Sequence, residues 1–197
     1  MKRTIKILAM ALTLSASSTC AIAQNYNDVK YLQGAVTEDN GIVVFQQHFN
    51  CEGKSQTQIY AALEAYTKSL LKSPIALQQC RLTQATPEEG VVAASMEETL
   101  TFKATNWTLD TARFFFQLVF TASDGCFDAM LRRIRYIYGP MEVEGIDSSL
   151  AAEDWITDSK ALNGKGQLNR VGGKKFRLRT IDRKDQIFAG AYNAVMK

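Results

Sequence analysis

The sequence predicts an α+β domain: an antiparallel sheet in the order β-α-β-β-β-β, helices on one face, and a helical C-terminal extension. Three observations predict it. Residues 111–138 read as one long apolar hairpin, a single well-capped helix precedes it, and a second amphipathic stripe closes the chain. A sheet face this apolar must be covered, and helices are the elements the pattern offers for the purpose.

The hairpin is TARFFFQLVF, then TASDG, then CFDAMLRRIRYIYG. In its first arm Ala112, Phe114, Phe116, Leu118 and Phe120 recur at period two. Arg113, Phe115, Gln117, Val119 and Thr121 fall on the other face, the alternation of a half-buried strand. Asp124-Gly125 supplies two residues that tolerate positive φ, a strong short-range hairpin signal. The second arm changes parity: Phe127, Ala129 and Leu131 share one face, whereas Ile134, Tyr136 and Tyr138 share the other. One extra residue reconciles the two halves, so a β-bulge is expected at Arg132-Arg133.

The remaining elements follow in chain order. Residues 24–40 are polar and without period, and read as a linker. Residues 41–49 (GIVVFQQHF) form the first strand, with Val43, Phe45 and Phe49 on one parity. Ser55-Gln56-Thr57-Gln58 has the spacing of a capping box. Ile59, Ala62, Leu63, Tyr66 and Leu70 then make one apolar stripe, which Pro74 ends. Residues 75–86 read as a strand, Pro87-Glu88-Glu89-Gly90 as a turn, and residues 91–104 as a strand with Met96, Glu98, Leu100 and Phe102 on one face. Gly139-Pro140 closes the sheet. Residues 149–162 are a helix candidate that buries Leu150, Trp155 and Leu162, and residues 163–175 are a glycine-rich basic loop. The last helix, with Thr180 as its expected cap, stacks Ile181, Phe188, Tyr192 and Val195. The division is thus a leader over 1–23, a linker over 24–40, an α+β domain over 41–145 and a helical extension over 146–197 packed on the sheet.

The leader is read from Lys2, Arg3 and Lys6, a short apolar centre, and small residues at Ala21 and Ala23. That is a secretory signal peptide, cut before Gln24 and too short to span a membrane. The competing reading is a lipoprotein signal acylated at Cys20, preceded by Ser17-Ser18-Thr19. Cleavage removes 3 of the 23 basic residues and leaves 20 against 20 acidic ones. A nominally neutral chain has no long-range field to draw a polyanion such as nucleic acid. No later run is long and apolar enough to cross a bilayer. Cys51, Cys80 and Cys126 follow the leader. Their spacing matches no zinc pattern, so neither a metal site nor a cofactor is expected.

His48 is the single histidine, and it sits on a strand without a nucleophile or carboxylate in local register. Glu88-Glu89 and Glu97-Glu98 are paired acids. Adjacent strand residues point to opposite faces, however, so neither pair makes a catalytic dyad. Gly164-Lys165-Gly166 and Gly172-Gly173 lack phosphate-loop spacing. Arg113, Arg132, Arg133 and Arg135 with Tyr136 and Tyr138 form the one cationic-aromatic cluster. Such a set grips phosphates, sulfates or carboxylates. Arg113, Arg133, Arg135, Tyr136 and Tyr138 are therefore the candidate ligand site. Asp110-Thr111-Ala112 also matches a short O-glycan acceptor pattern.

The pieces VVFQQHFNCEGKSQTQIYAAL, GVVAAS and EDWITDSKALNGKGQLNRVGGKKFRLRTIDRKDQIF cover most of residues 41–190. They resemble an uncharacterised domain family of exported Bacteroidetes proteins with a TATA-binding-protein-like (TBP-like) fold. The resemblance implies a curved antiparallel sheet with helices on its convex side, and no known activity. It also implies that the first strand pairs antiparallel with the last. Cys51 would then lie near Cys126, which makes the two a candidate disulfide. The expected function is a non-catalytic binding or interaction module of the cell envelope, whose partner is an envelope protein or an anionic ligand. The alternatives are an enzyme on envelope or dietary polymers and, third, nucleic-acid binding.

Overall fold

Chain order and sheet order differ at one place, and that place sets the architecture. The computed structural model describes residues 28–105, 107–139, 149–169 and 173–197; the leader, Cys20 and Pro140 lie outside the described residues. After a 3-10 turn at Val29–Tyr31 come β1 (Glu38–Asp39), β2 (Ile42–Asn50), α1 (Gln56–Leu70), β3 (Arg81–Thr86), β4 (Val91–Ala104), β5 (Leu109–Ser123) and β6 (Cys126–Ile137). Then follow β7 (Ser149–Ala151), a 3-10 turn, α2 (Asp158–Ala161) and α3 (Lys174–Met196). The sheet runs β1-β2-β6-β5-β4-β3, with β7 also on β6. The first long strand therefore pairs antiparallel with the last, Val44 facing Arg132 and Asn50 facing Cys126. The TBP-like resemblance implies that pairing.

The hairpin forms as its alternation dictates. Phe114, Leu118, Phe120, Phe127, Ala129 and Leu131 are completely buried, and Gly125 turns the chain at φ +75°. The bulge stands where the parity change demands it. Between the pairs Phe115↔Arg135 and Gln117↔Arg132, β6 carries one residue more than β5. Arg133 absorbs the excess at φ +55°. From there Ile134 and Tyr136 regain the core.

Both helices cover the same face. The capping box at Ser55 and Gln58 is complete, a motif that contributes on the order of 1 kcal/mol. Ile59, Leu63 and Leu70 of α1 join Phe176, Ile181, Phe188 and Val195 of α3 and the inward side chains of β2, β4, β5 and β6 in one core. Two arginines of α3 fix its position. The guanidinium of Arg183 donates to both oxygens of buried Glu98 at 2.7 and 2.8 Å. Arg177, with no exposed surface, donates to the carbonyls of Tyr31, Leu32 and Ile156 and to Asp158. The chain before β1 is tied down through those carbonyls: Tyr31 and Val36 are core residues, where the sequence suggested a linker.

Three other expectations change. Residues 149–162 are not one helix. Ser149–Ala151 completes the edge of β6 beyond the end of β2, facing Ile137, Tyr136 and Arg135. A free sheet edge outcompetes a weak local helical preference. Ala152, Ile156 and Ala161 are buried there, whereas Leu150, Trp155 and Leu162 are only half-buried. The last helix begins at Lys174, so Thr180 is not its cap; its buried hydroxyl shares a 2.6 Å hydrogen bond with Tyr136. Finally, the third strand begins at Arg81, and before it only Ala76 bridges to β4, at Glu98.

Candidate functional site

The sheet face turned away from α1 and α3 has no helix against it among the described residues. One cross-strand row organises it: Arg81 of β3 faces Ser95 of β4, Ser95 faces Gln117 of β5, and Gln117 faces Arg132 of β6. A second row sets Glu97, Phe115 and Arg135 side by side. Between the two rows a concavity of about 260 Å³ is lined by Arg81, Thr83, Ser95, Phe115, Gln117, Arg133 and Arg135, among others.

The bulge explains how three arginines from one short stretch of β6 serve this face. Strict alternation would send Arg133 inward between Arg132 and Ile134. The extra residue turns it out instead, where it is exposed and lines the concavity. A left-handed backbone costs an L-residue with a β-carbon roughly 1–2 kcal/mol, and Asn or Gly would hold that conformation at lower cost.

The charges divide into used and unused. Arg113 is bound to the carboxylate of Glu97, and Arg132 donates to Gln117 Oε1 at 2.9 Å. Arg81, Arg133 and Arg135 make no ion pair among the described residues. The Arg135 guanidinium lies 4.0 Å from the Phe115 ring centroid and that of Arg113 5.3 Å. Between them they leave Phe115 only 8% exposed. The hydroxyls of Thr83 and Ser95 and the amide nitrogen of Gln117 have no hydrogen-bond partner among the described residues.

Of the five candidate ligand residues, Arg113, Arg133 and Arg135 share this face and the two tyrosines do not. Past the bulge, parity carries Tyr136 into the core, stacked on Phe114 at 5.6 Å; burial pushes its phenol well above the usual range. Tyr138 is engaged by Lys175, whose ammonium donates to the phenol oxygen at 2.6 Å. Arg81, Thr83, Ser95 and Gln117 were missed. They emerge only once β3 and β4 are laid in register against β5, and no local spacing signals that.

The other candidates resolve individually. His48 has a carboxylate beside it after all: Asp128 faces it from β6, 3.0 Å from Nδ1, with Asn50 Oδ1 3.2 Å from Nε2. Glu97 and Glu98 take opposite faces and separate arginines. Cys126 faces Asn50, and Cys51, one residue on, donates its amide to Gly125. The backbones adjoin as expected, but a one-residue step turns a side chain to the other side of the sheet. The thiols of Cys51, Cys80 and Cys126 are free, so the candidate Cys51–Cys126 disulfide is not formed in this structure, and burial pushes the Cys51 thiol up. Among the described residues no group of three or more His, Cys, Asp or Glu is placed to hold a metal ion. Nor is any described helix long and apolar enough to cross a membrane.

Comparison with known proteins places this geometry. Residues 45–137 match a domain of unknown function (DUF4468) with TBP-like fold. A crystal structure of a DUF4468 family protein from Bacteroides ovatus is 31% identical, with a TM-score of 0.77 over 87% of this chain and 96% of that one. The chain belongs to the DUF4468 family. A TBP-like protein from Parabacteroides distasonis, 20% identical, shares the fold at a TM-score of 0.63 over 82% of this chain and 97% of its own. No curated protein matches the sequence. The DUF4468 match spans β2 to β6, the strands that carry every residue lining the concavity.

Proposed function

We propose that this DUF4468 protein is an exported, non-catalytic binding module of the cell envelope that holds an anionic ligand on the sheet face turned away from α1 and α3. The observation that carries the reading is the convergence of Arg81, Arg133 and Arg135 on one concavity without counter-ions among the described residues. An exposed arginine with no partner is ordinary. Three around one hollow, one of them held in an unfavourable backbone conformation, are not. The leader-like residues 1–23 support an address outside the cytoplasm. Separate arginines for Glu97 and Glu98 also favour binding over acid–base chemistry.

Arg133→Gly tests this cleanly, because glycine suits φ +55° and leaves the bulge intact. The variant is expected to melt at or above the wild-type temperature while losing anion binding. A charge-assisted hydrogen bond contributes about 1.5–3 kcal/mol, so affinity should fall by roughly one to two powers of ten. Thermal shift and titration calorimetry with inorganic sulfate and pyrophosphate read both quantities. Equal anion-induced shifts in wild type and variant would mean that the stabilisation is nonspecific and that this face is not the site.

A further inference from the structure

The shape of the concavity narrows its ligand further than charge alone does, provided that the face binds anions as proposed. Arg81 stands on β3 and Arg133 and Arg135 on β6, with β4 and β5 between them. Three strand spacings set their backbones about 14 Å apart, and the hollow between them, about 260 Å³, has room for more than a single phosphate, sulfate or carboxylate. We infer that the ligand is an acidic oligosaccharide lying across the strands, with at least two charged groups, one toward Arg81 and one toward the β6 arginines.

The floor between those ends selects the class. Ser95 and Gln117 form its centre and Thr83 its margin. Their two hydroxyls and the Gln117 amide nitrogen are free to exchange hydrogen bonds with sugar hydroxyls. A single-stranded nucleic acid needs exposed aromatic faces on which bases stack. Phe115 is covered by Arg113 and Arg135, and Phe116, the other ring of the lining, is buried. An acidic peptide that bound by strand addition would need a regular edge at β3, the outer strand among the described residues. Thr83 interrupts that edge as an unpaired extra residue between Leu82 and Gln84, and a bulge of this kind blocks strand addition. An oligosaccharide needs neither a stacking platform nor a regular edge.

The test uses the whole exported chain and defined probes: a chondroitin sulfate tetrasaccharide, a hyaluronan tetrasaccharide, glucuronate, inorganic sulfate, polyglutamate and oligothymidylate. A tetrasaccharide is expected to bind at least tenfold more tightly than glucuronate or sulfate, because it engages both ends. Arg81→Ala and Arg133→Gly should each lower tetrasaccharide affinity by about tenfold or more. Only Arg133→Gly should abolish sulfate binding at the β6 end. Comparing the two tetrasaccharides tells whether sulfate or uronate carries the charge, and a preference for either supports the inference. Glucuronate binding as tightly as both tetrasaccharides overturns it, as does an Arg81→Ala variant with unchanged affinity. Polyglutamate or oligothymidylate binding more tightly than both sugars overturns it as well. In those cases Arg133-dependent sulfate binding leaves the simpler anion site standing. If no anion binds through Arg133, both readings fall.

Discussion

The ammonium of Lys175 stands 3.9 Å from the Tyr138 ring centroid and 4.5 Å from that of Phe102, and donates to Asp110 at 2.9 and 3.1 Å. One lysine in the first turn of α3 thus fastens the helix to the far ends of β4, β5 and β6. Its hydrogen bond is the main reason the Asp110 carboxyl titrates below the usual carboxylate range, a shift that partial burial opposes. The direction fixes a pH dependence. A carboxyl whose folded pKa lies below its unfolded value, about 3.9, stabilises the fold above that value, and the contribution disappears as pH falls through the folded pKa. Wild type should therefore melt above Asp110→Asn at pH 7, and the gap should close progressively below about pH 4. Melting curves of both proteins across that range provide the check; a gap that persists unchanged to pH 2 would remove the ion pair from the account. None of this was legible in the sequence. Tyr138 read as a ligand residue because it follows the arginines, and Lys175 read as part of a loop. The contact between them exists only after α3 docks.

At the scale of elements, the glycines of residues 163–175 show why one composition yields unlike structures. A β-carbon on Gly173 would fall 1.6 Å from the carbonyl oxygen of Trp155, whereas one on Gly164 would meet nothing within 4 Å. Gly173 is the point where the start of α3 presses against the backbone that leaves the second 3-10 turn. Gly173→Ala is expected to destabilise by about 1–3 kcal/mol, the cost of overpacking, and Gly164→Ala to stay within about 0.5 kcal/mol of wild type. Urea titrations of the pair measure the difference, and similar midpoints would mean that helix and turn do not meet so closely. The sequence could not separate the two, because glycine richness signals a loop whether the glycine serves conformation or packing. Periodicity was far more informative. The parity change at Arg132-Arg133 located the bulge to the residue, since a buried face tolerates no slip. Spacing alone placed the capping box of α1. Where the pattern was weak, over residues 149–162, the free edge of β6 decided the outcome. The site divides the same way: the β6 arginines follow from the bulge, but Arg81, Ser95 and Gln117 join them only through strand register.

For the whole molecule, the consequence of laying β2 beside β6 is a sheet whose inner face needs both helices. The last segment read from sequence as a helical extension packed on the sheet of a domain ending near residue 145; α3 contributes Phe176, Leu178, Ile181, Ile187, Phe188, Ala191 and Val195 to the common core. It also neutralises Glu98, which is 1% exposed, through Arg183. Through Arg177 it holds the carbonyls of Tyr31 and Leu32. A chain shortened to residues 1–173 would expose that apolar face and leave the Glu98 carboxylate without Arg183. Each large apolar side chain withdrawn from a core forfeits about 1.5–3 kcal/mol, so losing those of α3 removes an amount comparable with the roughly 5–15 kcal/mol that holds a domain folded. The shortened chain is therefore expected to lose its near-ultraviolet circular dichroism, bind a hydrophobic dye, and unfold without a cooperative urea transition. A cooperative transition at the full-length midpoint would show instead that β2 to β6 and α1 suffice, and that α3 is an accessory to a self-contained DUF4468 core. The proposed anion site supplies the complementary measurement. It lies on the opposite face, built from strands that α3 does not touch from that side, so Arg133-dependent sulfate binding can persist only if the sheet keeps its register without the helix.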